Sequence, residues 1–300
     1  MDTSYTSSRV IQPRPAIERN LDRAFVWLAK IFALAIAGVL VWITIQVALQ
    51  AMPAISEFGI GFLWTSSWNP VNSQFGVLPA VYGTVVSSFI ALLIAVPIGL
   101  GVAIFLSEDY LPPKVQRIIV FLVELLAAVP SVVYGLWGIF VLIPFLSDFT
   151  PLRGPAMFPA ALILSVMILP TIAAISRDAI TSVPIDLRQA AVGLGATRWE
   201  AILKIIVPAA SSGIIGGIML ALGRALGETM AVTMLIGNSN TINPSVFAPS
   251  NTIASLLANQ FAEASGLQVA ALLYAALILF IITLVVNILA QLLVTRLQRI

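Results

Sequence analysis

Residues 80 to 106 read AVYGTVVSSFIALLIAVPIGLGVAIFL, 27 positions without an Asp, Glu, Lys or Arg. A bilayer core takes about 20 apolar residues as one helix, and a surface helix of a soluble protein keeps a polar face that this run lacks. Barrel strands alternate polar and apolar at every second residue, and segments such as Ile31-Phe32-Ala33-Leu34-Ala35-Ile36 do not. Five further runs share this character, at 24 to 50, 115 to 146, 156 to 176, 211 to 236 and 269 to 294. The predicted fold is all-α: a polytopic membrane protein with six transmembrane helices.

Composition agrees. Of 300 residues, 60% are hydrophobic and 9% charged, with a mean hydropathy of +1.04, where a soluble chain carries about a quarter charged residues. The first run is too long for the h-region of a cleaved signal peptide. Histidine and cysteine are both absent, which excludes disulfides, thiol nucleophiles, zinc sites and imidazole bases. The three lysines, Lys30, Lys114 and Lys204, follow Ala, Pro and Leu rather than the glycine of a Walker A loop. If the protein spends ATP, another chain binds it. No catalytic residue, metal site or nucleic-acid partner is expected.

Thirteen of the fifteen basic residues fall in the N-terminal tail and start of the first run, in the second and fourth connections, and at the C-terminus. The alternate connections, 51 to 79, 147 to 155 and 237 to 268, hold only Arg153. Positive charge marks the cytoplasmic side, so both termini are expected there. Three parts follow: a flexible tail at 1–20, the first transmembrane helix with an outer aromatic-rich segment at 21–79, and a core at 80–295. Phe58, Phe62, Leu63, Trp64 and Trp68 of the outer segment are expected to lie along the membrane interface as an anchor. A short helix is predicted at Ile253-Ala254-Ser255-Leu256-Leu257 in the last outer connection.

Within the cytoplasmic connection 184–208, Leu187, Ala190, Ala191 and Leu194 fall at i, i+3, i+4 and i+7, one face of a short amphipathic helix. Gly193 and Gly195 end it, and Thr197-Arg198-Trp199-Glu200 reads as a capping box that starts a second helix. Two alanines let another backbone come close, so this face docks either in a partner's groove or on the chain's own helix ends. Gln189-Ala190-Ala191, three residues, Gly195, nine residues and Ile205-Ile206-Val207-Pro208 resemble the E-A-A-x-x-x-G-x9-I-x-L-P loop of ATP-binding-cassette (ABC) importer permeases. Gln189 stands where that family has Glu, and Val207 where it has Leu. The resemblance implies a type I ABC importer permease fold. It also assigns Leu187, Gln189, Ala190, Ala191, Leu194 and Gly195 to coupling with an ATPase subunit.

The fifth run carries Arg224 and Glu228 in Gly223-Arg224-Ala225-Leu226-Gly227-Glu228-Thr229. Arg224 is about 13 residues, or ~20 Å, past Ser211, a depth that costs about 2.5–3.5 kcal/mol on insertion scales. In an unbroken helix Glu228 sits at i+4 on the same face, where the two charges partly offset each other's desolvation. The stripe Gly213, Gly217, Ala221, Arg224, Glu228, Ala231 either admits a neighbouring helix or leaves room for a solute beside the guanidinium. An arginine fork suits oxyanions such as phosphate; the other reading is a pair that only fixes helix register. Glu124 lies about two turns inside the cytoplasmic face. Pro130 kinks the third run and frees a carbonyl for Ser131, Tyr134 or a solute to satisfy; the other reading is a kink that serves packing alone. Pro97, Gly99 and Gly101 are expected to loosen the second.

The Arg-Ala-x-Gly-Glu-Thr run, Phe75-Gly76-Val77-Leu78-Pro79 with Tyr82-Gly83-Thr84, and Val129-Pro130-Ser131-Val132-Val133-Tyr134-Gly135 resemble the phosphate-specific (Pst) branch of these permeases. Pro130 through Trp137 is more similar to its PstC-type subunit than to the PstA-type paralogue. The resemblance spans roughly residues 55 to 295. It implies a multi-pass permease of a bacterial inner membrane that imports inorganic phosphate by alternating access. The implied partners are a PstA-like second permease, an ATPase dimer that uses ATP and Mg, and a periplasmic phosphate-binding protein. Substrate-path candidates are Arg224, Glu228, Thr229, Ser131 and Tyr134. The rival readings are a permease for sulfate or molybdate, a PstA-type paralogue, an ATPase-independent channel or carrier, and an intramembrane enzyme acting on lipid.

Overall fold

The computed structural model describes residues 16–108 and 110–297. Residues 1–15, most of the expected flexible tail, lie outside the described set. Residues 16–20 do not belong to a tail, since they open helix α1, Ala16–Phe58, which runs on through Pro53. Two compact units divide the chain, 1–49 and 50–300. The described part of the first is helical throughout.

The second unit carries the rest of the fold. Its long helices are α2 (Leu78–Ser107), α6 (Met157–Thr181) and α13 (Leu267–Leu297). Between α2 and α6 lie α3 (Pro113–Ala128), α4 (Ser131–Trp137) and α5 (Ile143–Ser147), with one wider π turn joining α4 to α5. After α6 come α7 (Ile185–Gly193), α8 (Arg198–Ala201), a second π turn and α9 (Val207–Ala209). The chain continues through α10 (Ser211–Gly227), α11 (Met230–Leu235) and α12 (Ile253–Gln260). A two-stranded hairpin pairs Trp68 with Phe75 and Asn69 with Gln74.

Among the described residues four helices are long and apolar enough to cross a membrane, or up to six spans when each bent pair counts as one. The third expected span is such a pair: α3 meets the α4–α5 segment at 91°. Val129 and Pro130 are extended there, with ψ of 128° and 140°, because proline lacks the N–H that would continue the helix and pushes the residue before it out of the helical region. The second pair joins Arg198–Ala209 to Ser211–Gly227 at 69°, and the expected fifth span also breaks within itself. Helix α10 stops at Gly227, Glu228 is extended with ψ 125°, and α11 begins at Met230.

Helix α6 is the most enclosed, 61% buried over its apolar window at a mean hydropathy of 2.3, whereas α13 is 28% buried at 3.0. That order is natural in lipid, where tails are as apolar as leucine and close backbone packing rather than hydrophobicity selects what goes inside. The contact that encloses α6 is a stripe on α2: Ala91, Ala95, Gly99 and Ala103, every fourth residue and all buried. Gly99 does not loosen α2, which is continuous through Pro97; a Cβ there would stand 3.0 Å from Ile172 Cγ2 of α6. Nearer the end of α6, Gly213 and Gly217 of α10 sit against Ala179 and Ile175.

The aromatic segment corrects another expectation. It does not lie along an interface as a row of anchors, but folds into a buried cluster with α12 and α13. Phe62 stacks on Tyr274 at 4.6 Å, Trp68 meets Phe75 edge-on at 5.0 Å, and Trp68 Nε1 donates to Gln260 at 2.6 Å. Trp64 alone of the named aromatics stays strongly exposed, at 75%. Hairpin pairing turns alternate side chains inward, and the indole N–H finds its partner there. The short helix expected near Ile253 is α12, with the Thr252 side chain accepting from Ser255 N at 3.1 Å.

Candidate functional site

Helix α10 presents two faces. Gly213, Gly217 and Ala221 form its packing face toward α6, so these small residues admit a helix rather than a solute. One step round, Gly216, Met219, Leu220, Gly223 and Arg224 line an open cleft of about 610 Å³ that Thr171 of α6 and Asn287 of α13 complete. The room beside the guanidinium therefore comes from Gly216 and Gly223. Thr171 and Asn287 escaped the sequence reading, although a lone Asn within Val285-Val286-Asn287-Ile288-Leu289 was a legible signal, since isolated polar side chains in apolar spans face protein or water.

Arg224 is half-buried and, among the described residues, makes no ion pair. The expected pair with Glu228 does not form because the helix ends between them. Each charge instead meets a helix end of suitable sign. Arg224 lies in the last turn of α10, where unsatisfied carbonyls favour a cation; Glu228 Oε1 accepts from Ala231 N at 3.4 Å at the start of α11. Thr229 holds the break from both sides: its hydroxyl donates to Gly227 O at 3.1 Å, and its carbonyl accepts from Thr233 Oγ1 at 2.6 Å. A broken span with a cation at the break is a recurrent transporter device, because only backbone lining a cavity or packed in protein can be irregular at that depth.

The two broken spans pack on each other. Gly135 of α4 and Gly138 of the π turn that follows it lie where a Cβ would meet Met234 Sδ at 2.6 Å and Leu235 of α11 at 2.7 Å. Next to this crossing Tyr134 is buried, within electrostatic reach of Arg224. Its hydroxyl donates to Leu126 O at 2.8 Å, so it satisfies the carbonyl freed by the Pro130 break and its one O–H is not free to donate to a solute. Ser131 opens α4 and is half-buried. Of the five path candidates, Arg224 lines the cleft, while Glu228, Thr229 and Tyr134 shape the breaks around it. Glu124 lies elsewhere, with Gln116, Arg117, Arg177 and Thr181 around a cleft of about 390 Å³ between α3 and the end of α6.

The loop at 184–208 has the expected form of helix, glycine break, helix. Gly195 takes φ +82°, while Gly193 completes α7 with ordinary helical backbone. Thr197 and Glu200 form both halves of the capping box. Of the amphipathic face only Ala191 is buried; Leu187, Ala190 and Leu194 are exposed, Leu194 to 89%. The loop is seated on the bundle farther along, where Ile202 and Ile206 pack with Ala103, Ile180, Val183 and Ile214.

The backbone N–H and then the hydroxyl of Thr197, followed by Lys204, hold the Glu200 carboxyl down at about 2. A depressed carboxyl stabilises the fold above its unfolded value near 4.5 and loses that contribution as pH falls toward 2. Amides of residues 198–202 are thus expected to stay protected at pH 5 and above and to exchange faster, relative to their intrinsic rates, once pH drops below about 4. Glu200→Gln should lose that pH dependence.

Comparison with known proteins places the chain among transporters. The family described as binding-protein-dependent transport system inner membrane component matches residues 95–299. The phosphate transport system permease protein PstC of Pasteurella multocida is 42% identical over 299 residues, covering 93% of each chain. Its namesake from Haemophilus influenzae is 42% identical, covering 93% of this chain and 95% of that one. Among solved structures, a bacterial ABC transporter for import of the acidic polysaccharide alginate aligns at a TM-score of 0.62 and 19% identity, over 94% of this chain and 99% of that one. The MetNI methionine ABC transporter, in inward-facing form, aligns at 0.60 and 18%, over 74% and 95%.

Proposed function

We propose, because this chain belongs to the binding-protein-dependent transport system inner membrane components and among them to the PstC phosphate permeases, that it carries inorganic phosphate inward past the Arg224 cleft. It is a multi-pass membrane subunit of an ABC importer. The observation that carries the substrate reading is a half-buried guanidinium that has no anionic partner among the described residues, at the break in a span, lining an open cleft. A fixed planar cation suits an oxyanion. Thr171 and Asn287 add neutral donors, which orient an anion without holding it so tightly that release fails.

In this reading both termini are cytoplasmic, a PstA-like chain completes the pathway, and a periplasmic phosphate-binding protein delivers the solute. The cycle is alternating access driven by an ATPase dimer that binds ATP and Mg. The dimer receives α7 through the exposed Leu187, Gln189, Ala190 and Leu194, with Ala191 seated inward and Gly195 setting the turn. The reading is tested by uptake of labelled phosphate into vesicles holding the purified four-component system. ATP-dependent uptake that unlabelled phosphate suppresses and excess sulfate or molybdate does not is expected; uptake without the ATPase subunits, or equal competition by sulfate, would reject it.

The loop makes a second expectation. At φ +82° an added Cβ costs about 1–2 kcal/mol, and nothing lies within 4 Å of it at Gly195, so the penalty is purely conformational. Gly195→Ala should weaken retention of the ATPase on co-purification. Gly193→Ala, with ordinary φ and equal space, should not.

A further inference from the structure

Arg188 sits on α7 but points away from the exposed coupling face. Its Nη1 pairs with the Glu108 carboxylate at the C-terminal end of α2, and its Nη2 donates to Ile180 O at 2.8 Å, one of the last carbonyls of α6. Both side chains are largely enclosed, 23% and 19% exposed. One planar fork therefore spans the inner ends of two helices, and the α6 carbonyl also gains from a cation at the negative end of its dipole. Those two helices are locked together by the small-residue stripe of α2. Helix α6 in turn carries Thr171 of the cleft and packs on the Gly213–Gly217 face of α10, the helix of Arg224.

We propose that Arg188 is a positioning residue for coupling: its guanidinium, shared between Glu108 and the Ile180 carbonyl, ties α7 to α2 and α6, so that displacement of the loop is delivered to the helices that line the cleft. The inference rests on the importer reading above, but it concerns transmission rather than substrate. A bidentate arginine resists rotation of α7 about its own axis as well as separation, which a lysine point charge does not. Packing of Ile202 and Ile206 would still seat the loop without it.

The test uses the complete reconstituted importer and reads phosphate imported per ATP hydrolysed. Glu108→Gln and Arg188→Gln should each assemble at wild-type yield and lower that ratio about tenfold. The double variant should be no worse than either single one, as expected for two partners in one interaction. Arg188→Lys should fall between. An unchanged ratio in both single variants, losses that multiply in the double variant, or failure of Glu108→Gln to assemble would each overturn the proposal, the last by making the pair merely structural. If the wild-type importer hydrolyses ATP without moving phosphate, the substrate reading alone fails. Stimulation of hydrolysis by the solute-loaded binding protein then reports the strut, and the same pattern across the variants is required of it.

Discussion

Arg224→Gln is expected to lower phosphate uptake by roughly ten- to a hundredfold, the ~1.5–3 kcal/mol of a hydrogen bond to a charged group, while leaving the assembled complex at least as stable as before. The two halves of this expectation separate a functional arginine from a structural one. Among the described residues Arg224 holds no carboxylate, so its removal strands no buried counter-charge, the usual source of large losses when an ion pair is cut. What it has is a helix end, worth about 0.3–1 kcal/mol. Against that, a central arginine costs about 2.5–3.5 kcal/mol on insertion scales. Glutamine keeps part of the length and a donor but neither the charge nor the fork. Uptake measured beside co-purification and thermal stability of the complex decides the matter. Loss of both together would make the residue a packing element, and retention of uptake would remove it from the path. Arg224→Lys should retain more uptake than Arg224→Gln, because charge survives although bidentate geometry does not.

Much of this arrangement is legible in the amino-acid sequence. The run without charges at 80–106, the helix–glycine–helix loop and the capping box of Thr197 and Glu200 each depend on neighbours within one or two turns, and local rules reach that far. The break after Gly227 was not legible. No proline marks it, a glycine is common in membrane helices, and Glu228 at i+4 from Arg224 looks like a partner until the backbone between them is seen to end. The correction matters for function, since a paired arginine is half neutralised, whereas one at a helix end still offers its charge to a solute. Burial of Phe62 and Trp68 was hidden for a different reason: their partners, Tyr274 and Gln260, lie about two hundred residues away, and a lipid-facing aromatic and a core aromatic look alike in one dimension. Tyr134 shows a third limit, because Pro130 announced a freed carbonyl while only the fold could say which hydroxyl takes it.

Two glycines of α2 give the second large expectation. At Gly83 an added Cβ would stand 1.9 Å from Asn251 O and 2.8 Å from Ser250 Oγ; at Gly101 nothing lies within 4 Å. Backbone cannot yield as a flexible side chain does, and the segment that would have to move is tied in place. Ser250 N donates to Ile236 O and Ser239 N to Ser250 O, both at 2.9 Å, while Ile253 N donates to Thr84 Oγ1 at 3.0 Å. Gly83→Ala therefore has to shift the outer connection or the start of α2, at a cost of about 1–3 kcal/mol or more for overpacking. Gly101→Ala should be neutral or stabilising by about 0.5–1 kcal/mol, since alanine loses less backbone entropy in a helix. The thermal midpoint for loss of the monodisperse purified complex should fall for the first and hold or rise for the second. Equal behaviour of the two would mean that the outer connection does not rest on α2 at Gly83. The hydrogen bonds from Asn238 to Thr233 O of α11 and from Ser255 to Asn238 extend the same connection toward the broken fifth span. Gly83→Ala should then also lower uptake in the fraction that survives, through the 237–252 connection rather than through the arginine.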